Sequence, residues 1–134
     1  MKRLARIVAA VGLWGLSTVC CFADMPSRDF TTQTKTASTS TAATDTALWT
    51  PASGKRIILQ GVIACASGPI TTVEIEEDDN TDVIPPFAIE SYGCKTFTAG
   101  GSAIWMGDPD EYLTYTLATS GPRLSIMAWG YEIQ

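Results

Sequence analysis

The amino-acid sequence predicts an all-β fold: a small antiparallel β-sandwich, jelly-roll-like, preceded by a signal-peptide helix and a flexible threonine-rich segment. Apolar and polar residues alternate over 71–76 and 112–119, which is typical of strands with one buried and one solvated face. Short runs rich in β-branched and aromatic residues are separated by glycine and proline turns. No stretch beyond residue 23 keeps a helical period.

The first 23 residues have the pattern of a secretory signal peptide. Three basic side chains lie within residues 2–6, and residues 7–23 are uncharged and mostly apolar. The small residues Cys21 and Ala23 occupy the positions that precede a signal-peptidase cut after Ala23. We therefore expect cleavage there and a mature protein that is secreted or periplasmic, with no stable membrane insertion after cleavage.

Three alternatives to cleavage remain open at the level of sequence. The uncharged run approaches the length that spans a bilayer, so the segment could persist as an anchor. Cys20 or Cys21 could accept a lipid. Translation could also start at Met25, which would remove the signal.

The rest of the chain divides into a tether and a folded domain. Residues 24–46 are predicted to be a flexible Thr/Ser-rich tether, because almost no large apolar side chain is present to offset the entropy cost of ordering. Threonine favours extended backbone, so an edge strand late in this segment is the alternative. Residues 47–134 are predicted to form the β-sandwich.

The domain is predicted to contain seven or eight short strands. Residues 56–66 form a continuous apolar run, which indicates a strand covered on both faces. In the next strand, Glu74 and Glu76 are expected on a solvated face. The Pro85–Pro86 pair is predicted to end a short strand at 83–84, because proline cannot donate to a ladder. The remaining strand candidates are 87–90, 95–98, 102–106, 112–119 and 124–133.

Charge and composition exclude several functions. The 134-residue chain has 9 basic and 14 acidic residues, a net charge of −5, and loss of three basic residues with the signal leaves 6 against 14, or −8. Such a surface repels a phosphate backbone, so nucleic acid is not an expected partner. There is no histidine, which excludes Ser–His–Asp and Cys–His catalysis. We expect no enzyme, no catalytic residue and no cofactor.

Two segments resemble small β-sandwich proteins from the structural regions of tailed phages and prophages. They are LWTPASGKRIILQG at residues 48–61 and LSIMAWGYE at residues 124–132. The resemblance extends over about residues 45–134 and implies a non-catalytic structural or assembly component, such as a capsid-decorating, neck or tail-associated domain, that self-associates as a homo-oligomer. The predicted export signal also fits a cellular, exported relative of the same fold.

The acidic segment after the second strand is the candidate metal site. Asp78, Asn80 and Asp82 fall at alternate positions, as do the first ligands of a calcium loop. The turn glycine of such a loop is replaced by Val83, and Ile89 stands where a bidentate glutamate is needed. A solvated hairpin tip is therefore the alternative to calcium.

Two cysteines remain after removal of the signal. Cys65 and Cys94 could form a disulfide in an oxidising compartment. Two buried free thiols are the alternative, since sequence does not give the distance between them.

Aromatic residues near glycine-rich turns suggest a second class of function, a secreted carbohydrate- or surface-binding module. Tyr92 and Trp105 are the candidate ligand-stacking residues. A third class is a carboxylate hydrolase that would use the acidic residues of segment 108–111, although an Asp-Pro turn accounts for the same residues.

Overall fold

The computed structural model describes residues 30–134, apart from residues 79 and 119, with only the backbone at residue 71. The predicted signal peptide and the first part of the predicted tether lie outside the described residues. Within the described part of the chain there is no helix, and hence none long and apolar enough to cross a membrane.

The described chain is all-β, as predicted, but it forms nine β-strands where the sequence predicted seven or eight. Their bounds are β1 Gln33–Thr39, β2 Ala43–Trp49, β3 Arg56–Ala66, β4 Ile70–Glu77, β5 Asp82–Ile89, β6 Cys94–Thr98, β7 Trp105–Met106, β8 Leu113–Leu117 and β9 Leu124–Ile133.

The strands form two antiparallel sheets. Sheet A has the order β1-β9-β3-β6, with β7 also paired to β3, and sheet B has the order β2-β8-β4-β5. Four strand pairs are nested along the chain: β1 with β9, β2 with β8, β3 with β6, and β4 with β5. Successive nested pairs alternate between the two sheets.

A single hydrophobic core draws on both sheets. Leu59, Val62 and Ala64 of β3 are fully buried from the side of sheet A, with a register shift after Leu59 that resets the alternation. Ile75 of β4 and Leu113 of β8 are fully buried from the side of sheet B. At about 25 cal/mol per Å² of apolar surface removed from water, this cluster supplies most of the driving force for folding.

The predicted tether is ordered over most of its described length. Residues 33–39 form β1, which pairs with β9 over seven residues, and residues 43–49 form β2. Nevertheless, no side chain between residues 30 and 47 is buried, and Leu48 is the first buried residue. The sequence thus located the start of the core, whereas backbone pairing with β9 orders a segment that has few apolar side chains.

The Pro85–Pro86 pair does not end a strand as predicted. Strand β5 runs through both prolines, from Asp82 to Ile89. This is possible because β5 is the edge of sheet B, where one side of the backbone has no ladder partner. Three register shifts between β4 and β5 accompany the prolines.

Candidate functional site

The two sheets carry opposite charge. The strands of sheet A contain three basic residues (Lys35, Arg56 and Lys95) and one acidic residue (Glu132), a net charge of +2. The strands of sheet B contain no basic residue and five acidic ones, a net charge of −5: Asp45, Glu74, Glu76, Glu77 and Asp82. Among the residues of the described strands, the acidic ones are therefore concentrated in sheet B.

The outer face of sheet A is nearly free of charge and has an apolar centre on β9 and β3, flanked by threonine and serine side chains of β1 and β6. Met127 of β9 is 40% exposed, and Ile63, its partner in β3, is half-buried. Thr36 of β1, the partner of Met127 on the other side, is exposed. These residues border a shallow depression of about 440 Å³. We call this surface the A face; its β9 row comprises Ser125, Met127, Trp129, Tyr131 and Ile133.

Aromatic side chains extend the A face along β9. The ring of Trp129 lies over Gly61 so closely that a Cβ on this glycine would stand 2.0 Å from a ring carbon. Tyr131, two residues further along, stacks on Phe30 with ring centroids 4.9 Å apart. The glycine in β3 thus makes room for Trp129 to lie flat on the sheet.

A disulfide joins the two candidate cysteines at the edge of the A face. Cys65 of β3 and Cys94 of β6 are directly opposed in the ladder, with Cα atoms 4.1 Å apart and a sulfur–sulfur bond in the structure. The bond ties the edge strand β6 to β3, which shapes one rim of the A face.

Glu132 joins residues 48–61 to residues 124–132, two segments that also pair in the β3–β9 ladder. Its carboxylate accepts hydrogen bonds from Trp49 Nε1 at 2.9 Å and from the Ala52 backbone N–H at 3.1 Å. Burial alone would raise the pKa of Glu132, but these two bonds and the charges of Lys35 and Lys55 together hold the pKa below its ordinary value. These residues therefore have a structural role in joining the two segments.

Sheet B buries one of the glutamates that were predicted to be solvated. Glu76 is only 8% exposed, and its Oε2 atom has no hydrogen-bond partner. Burial and the nearby charges of Glu74, Asp45 and Asp82 raise its pKa, against a hydrogen bond from Thr116. The alternation of apolar and polar residues placed Glu76 on the outer face of the strand. It could not predict how strongly the neighbouring strands shield that position from solvent.

Trp105, a candidate ligand-stacking residue, bonds to one of two neighbouring carboxyl groups, those of Glu77 and Glu111. Trp105 is half-buried, and its Nε1 donates a hydrogen bond to Glu77 Oε1. Glu111 accepts a bond from the backbone N–H of Asp108 at 2.6 Å. Burial, together with a hydrogen bond and repulsion from Glu77, raises the pKa of Glu111. These contacts hold the 105–111 loop against β4, so Trp105 is engaged in an internal contact.

The carboxylates proposed for hydrolysis also bond within the fold. Asp110 Oδ1 accepts a bond from the Gly54 backbone N–H at 2.6 Å, and Asp110 itself has a φ of 67°. Because Glu111 also accepts a bond from the Asp108 backbone N–H, the side chains of segment 108–111 bond both to their own loop and to the loop that contains Gly54. This arrangement is typical of Asp-rich turns.

Tyr92 is the most exposed large hydrophobic side chain in the described chain, at 85%. It lies in the turn between β5 and β6 with a φ of 56°. The Gly93 N–H bonds the Glu90 carbonyl at 2.9 Å, and the Gly93 carbonyl accepts a bond from Ala66 N–H at 3.0 Å. The turn is thus fixed, and its aromatic ring projects into solvent.

The candidate calcium residues lie at the tip of the β4–β5 hairpin. Asp78, Asn80 and Asp82 are all exposed, and Asn80 adopts a φ of 66° while its N–H bonds the Glu77 carbonyl at 3.1 Å. Among the residues that the structure describes, which leave out residue 79 of this tip, no group of three or more acidic or cysteine side chains could hold a metal. Calcium binding here stays a prediction.

Comparisons with known proteins assign no family to the chain. No protein-family model matches it, and no curated protein is significantly similar to it in sequence.

The A face is the feature that site prediction from sequence missed. The signal was present, because the continuous apolar run of residues 56–66 predicted a strand covered on both faces. The core covers one face of β3. On the other face, Ile63 remains half-buried beside the exposed Met127.

Proposed function

We propose that the mature protein is an exported, non-catalytic structural domain with a jelly-roll β-sandwich fold, and that it self-associates through the A face. The nested strand pairs, alternating between two sheets that share one core, support the jelly-roll assignment. The amino-terminal pattern of charge and hydropathy supports export. Jelly rolls are frequent in viral capsid domains, so the fold agrees with the virion-like resemblance without requiring it.

One observation carries the proposal: a nearly uncharged sheet face with an apolar centre, on a protein with a net charge of −5. Exposed apolar patches on soluble proteins mark interaction surfaces. The apolar pattern of β3 predicts cover on both faces, and a partner on the A face would provide the second cover.

A second copy is the partner that this face fits best. Packing the A face on sheet B of another molecule would bury carboxylates such as Glu74 against apolar side chains, which costs free energy. Packing it on a second A face buries apolar surface on both sides and brings few charges together. A two-fold arrangement of this kind closes as a dimer.

The area of the A face is sufficient for such a dimer. Four strands about 4.8 Å apart and a long strand with a rise of about 3.3 Å per residue give a face of about 19 by about 30 Å. Two copies would bury on the order of 1,200 Å² in total, which is the lower limit of specific protein–protein interfaces.

Light scattering of the mature protein at increasing concentration tests this function. We expect the mean mass to rise from that of the monomer toward that of the dimer, because the association follows mass action. A constant monomer mass at submillimolar concentration would contradict self-association and leave the binding module as the better proposal.

The exposed Tyr92 supports a second candidate function, a carbohydrate- or surface-binding module. A rigidly held aromatic ring in solvent suits stacking on a sugar or insertion into a partner. In addition, a cleft of about 580 Å³ lies between β5 and β6, lined by residues that include Pro85, Phe97 and Thr98. Retention of a monomeric protein on an insoluble polysaccharide, lost in Tyr92→Ala, would favour this function.

A further inference from the structure

Strand β1 is a weakly anchored edge strand of the described chain. It lies at the edge of sheet A and pairs only with β9 in that sheet. None of its side chains is buried, and Ala37 is its one hydrophobic side chain that packs on the core of the described residues. Segments with few buried contacts open locally at low cost in free energy.

Opening of β1 would leave the edge of β9 without a partner. An unpaired edge presents free N–H and C=O groups that recruit another strand. The contacts that β1 makes on the core side of sheet A favour one particular strand. Lys35 Nζ lies 5.6 Å from the centroid of the Trp49 ring, and the positive charge of Lys35 acts on Glu132. The strand that reproduces these contacts is β1 of a second copy.

The connection between β1 and β2 suits such an exchange. It has three residues, 40–42, and contains neither glycine nor proline. Two hydrogen bonds hold it to the turn at 120–121: Ala42 N–H to Ser120 Oγ and Gly121 N–H to the Ser40 carbonyl, both 3.0 Å. At about 1 kcal/mol each, these bonds are a small barrier to extension of the connection. Short hinge loops of this kind favour strand exchange.

We propose that β1 exchanges between copies, so that β1 of one molecule pairs with β9 of another in the same register that it has within one chain. This inference rests on the self-association proposed above and adds a second contact to the A face. Exchange re-forms the seven residue pairs of the β1–β9 ladder in both molecules. The net cost is therefore confined to the hinge and to the loss of translational and rotational freedom when two molecules associate.

A disulfide lock tests the exchange. Ser38 and Ser125 are paired across β1 and β9, with Oγ atoms 3.4 Å apart. The double variant Ser38→Cys/Ser125→Cys would join β1 to β9 of its own chain, and peptide mapping would verify that link and the Cys65–Cys94 link. The matched control is Ser38→Ala/Ser125→Ala, which leaves β1 free.

We expect the locked protein, refolded and oxidised as a monomer, to dimerise about tenfold more weakly than the control in light scattering. Equal dimerisation of the two variants would overturn strand exchange and leave docking through the A face intact. If neither variant nor the unmodified protein associates, both strand exchange and the proposed function are wrong.

Discussion

Glu132 shows how one side chain joins distant parts of the sequence. It lies at the end of β9 yet accepts hydrogen bonds from Trp49, which is 1% exposed, and from the Ala52 backbone N–H. The sequence identified both segments through their resemblance to phage proteins, but it offered no means to predict that they meet. The contact spans 83 residues along the chain, and local patterns carry no information over such a separation.

Replacement of Glu132 by Gln should therefore destabilise the fold. We expect a loss of about 1–3 kcal/mol in the free energy of unfolding at neutral pH, because hydrogen bonds to a charged acceptor are stronger than neutral ones. Urea denaturation measures this loss, with the exposed Glu90→Gln as the matched control.

The effect of Glu132→Gln should depend on pH. The pKa of Glu132 lies below its ordinary value of 4.5 in the folded state, so its contribution is present above that value and is lost as the pH falls through the folded-state pKa. Equal destabilisation at pH 7 and pH 3 would contradict this account.

Glu111 should have the opposite pH dependence to Glu132. Burial and the proximity of Glu77 raise the pKa of Glu111, so its protonated form is favoured in the folded state. The stability it contributes is then full below the ordinary pKa of 4.5 and declines as the pH rises through the folded-state pKa.

Glu111→Gln, which stays neutral, should unfold at a higher urea concentration than the wild-type protein at pH 8 and at a similar concentration at pH 4. Urea midpoints at the two pH values provide the measurement. The same pH slope in variant and wild type would show that Glu111 does not couple to folding.

At the scale of elements, apolar patterns predicted the central strands well. The bounds of β3 and β9 match the predicted runs 56–66 and 124–133, since both strands combine a buried face with large side chains on the other. The edge strands β1 and β5 were missed or shortened, because threonines and prolines carry no burial signal. Their order comes from backbone pairing with a neighbour.

Two glycines on the β3–β9 pair should differ in their tolerance of a methyl group. A Cβ at Gly130 would stand 2.0 Å from the backbone carbonyl oxygen of Ile58, whereas a Cβ at Gly61 would meet the side chain of Trp129. We expect Gly61→Ala to cost about 1–3 kcal/mol, as in overpacked cores, and Gly130→Ala to cost more, because a strand cannot move as a side chain can. Urea denaturation of both variants, with Trp fluorescence for Gly61→Ala, tests the order; equal costs would contradict it.

The bond between Cys65 and Cys94 should stabilise the pairing of β6 with β3. The two residues are 29 positions apart, so closing this loop in the unfolded chain is worth about 3–4 kcal/mol in the loop-entropy model. We expect Cys65→Ala/Cys94→Ala to unfold at correspondingly lower urea concentration. Two alkylatable thiols in exported, non-reduced protein would contradict the bond.

At the scale of the whole molecule, the separation of charge decides how copies can meet. The sequence predicted an acidic protein, but it could not assign +2 to one sheet and −5 to the other, because sheet membership depends on the nested pairing of distant strands. The apolar A face lies on the sheet without the acidic cluster. Contact between two A faces therefore leaves the carboxylates of sheet B in solvent and avoids the cost of burying them against apolar side chains.

A single substitution on the A face tests this central claim most directly. Met127→Glu adds a charge to each side of a two-fold interface, whereas Thr44→Glu adds the same charge to the exposed strand β2 of sheet B. Light scattering should give a dimerisation constant about tenfold or more weaker for Met127→Glu, because a buried carboxylate must be desolvated, and an unchanged constant for Thr44→Glu. Urea denaturation curves would establish that both proteins are folded. Equal dimerisation of Met127→Glu and wild type would then contradict assembly through the A face.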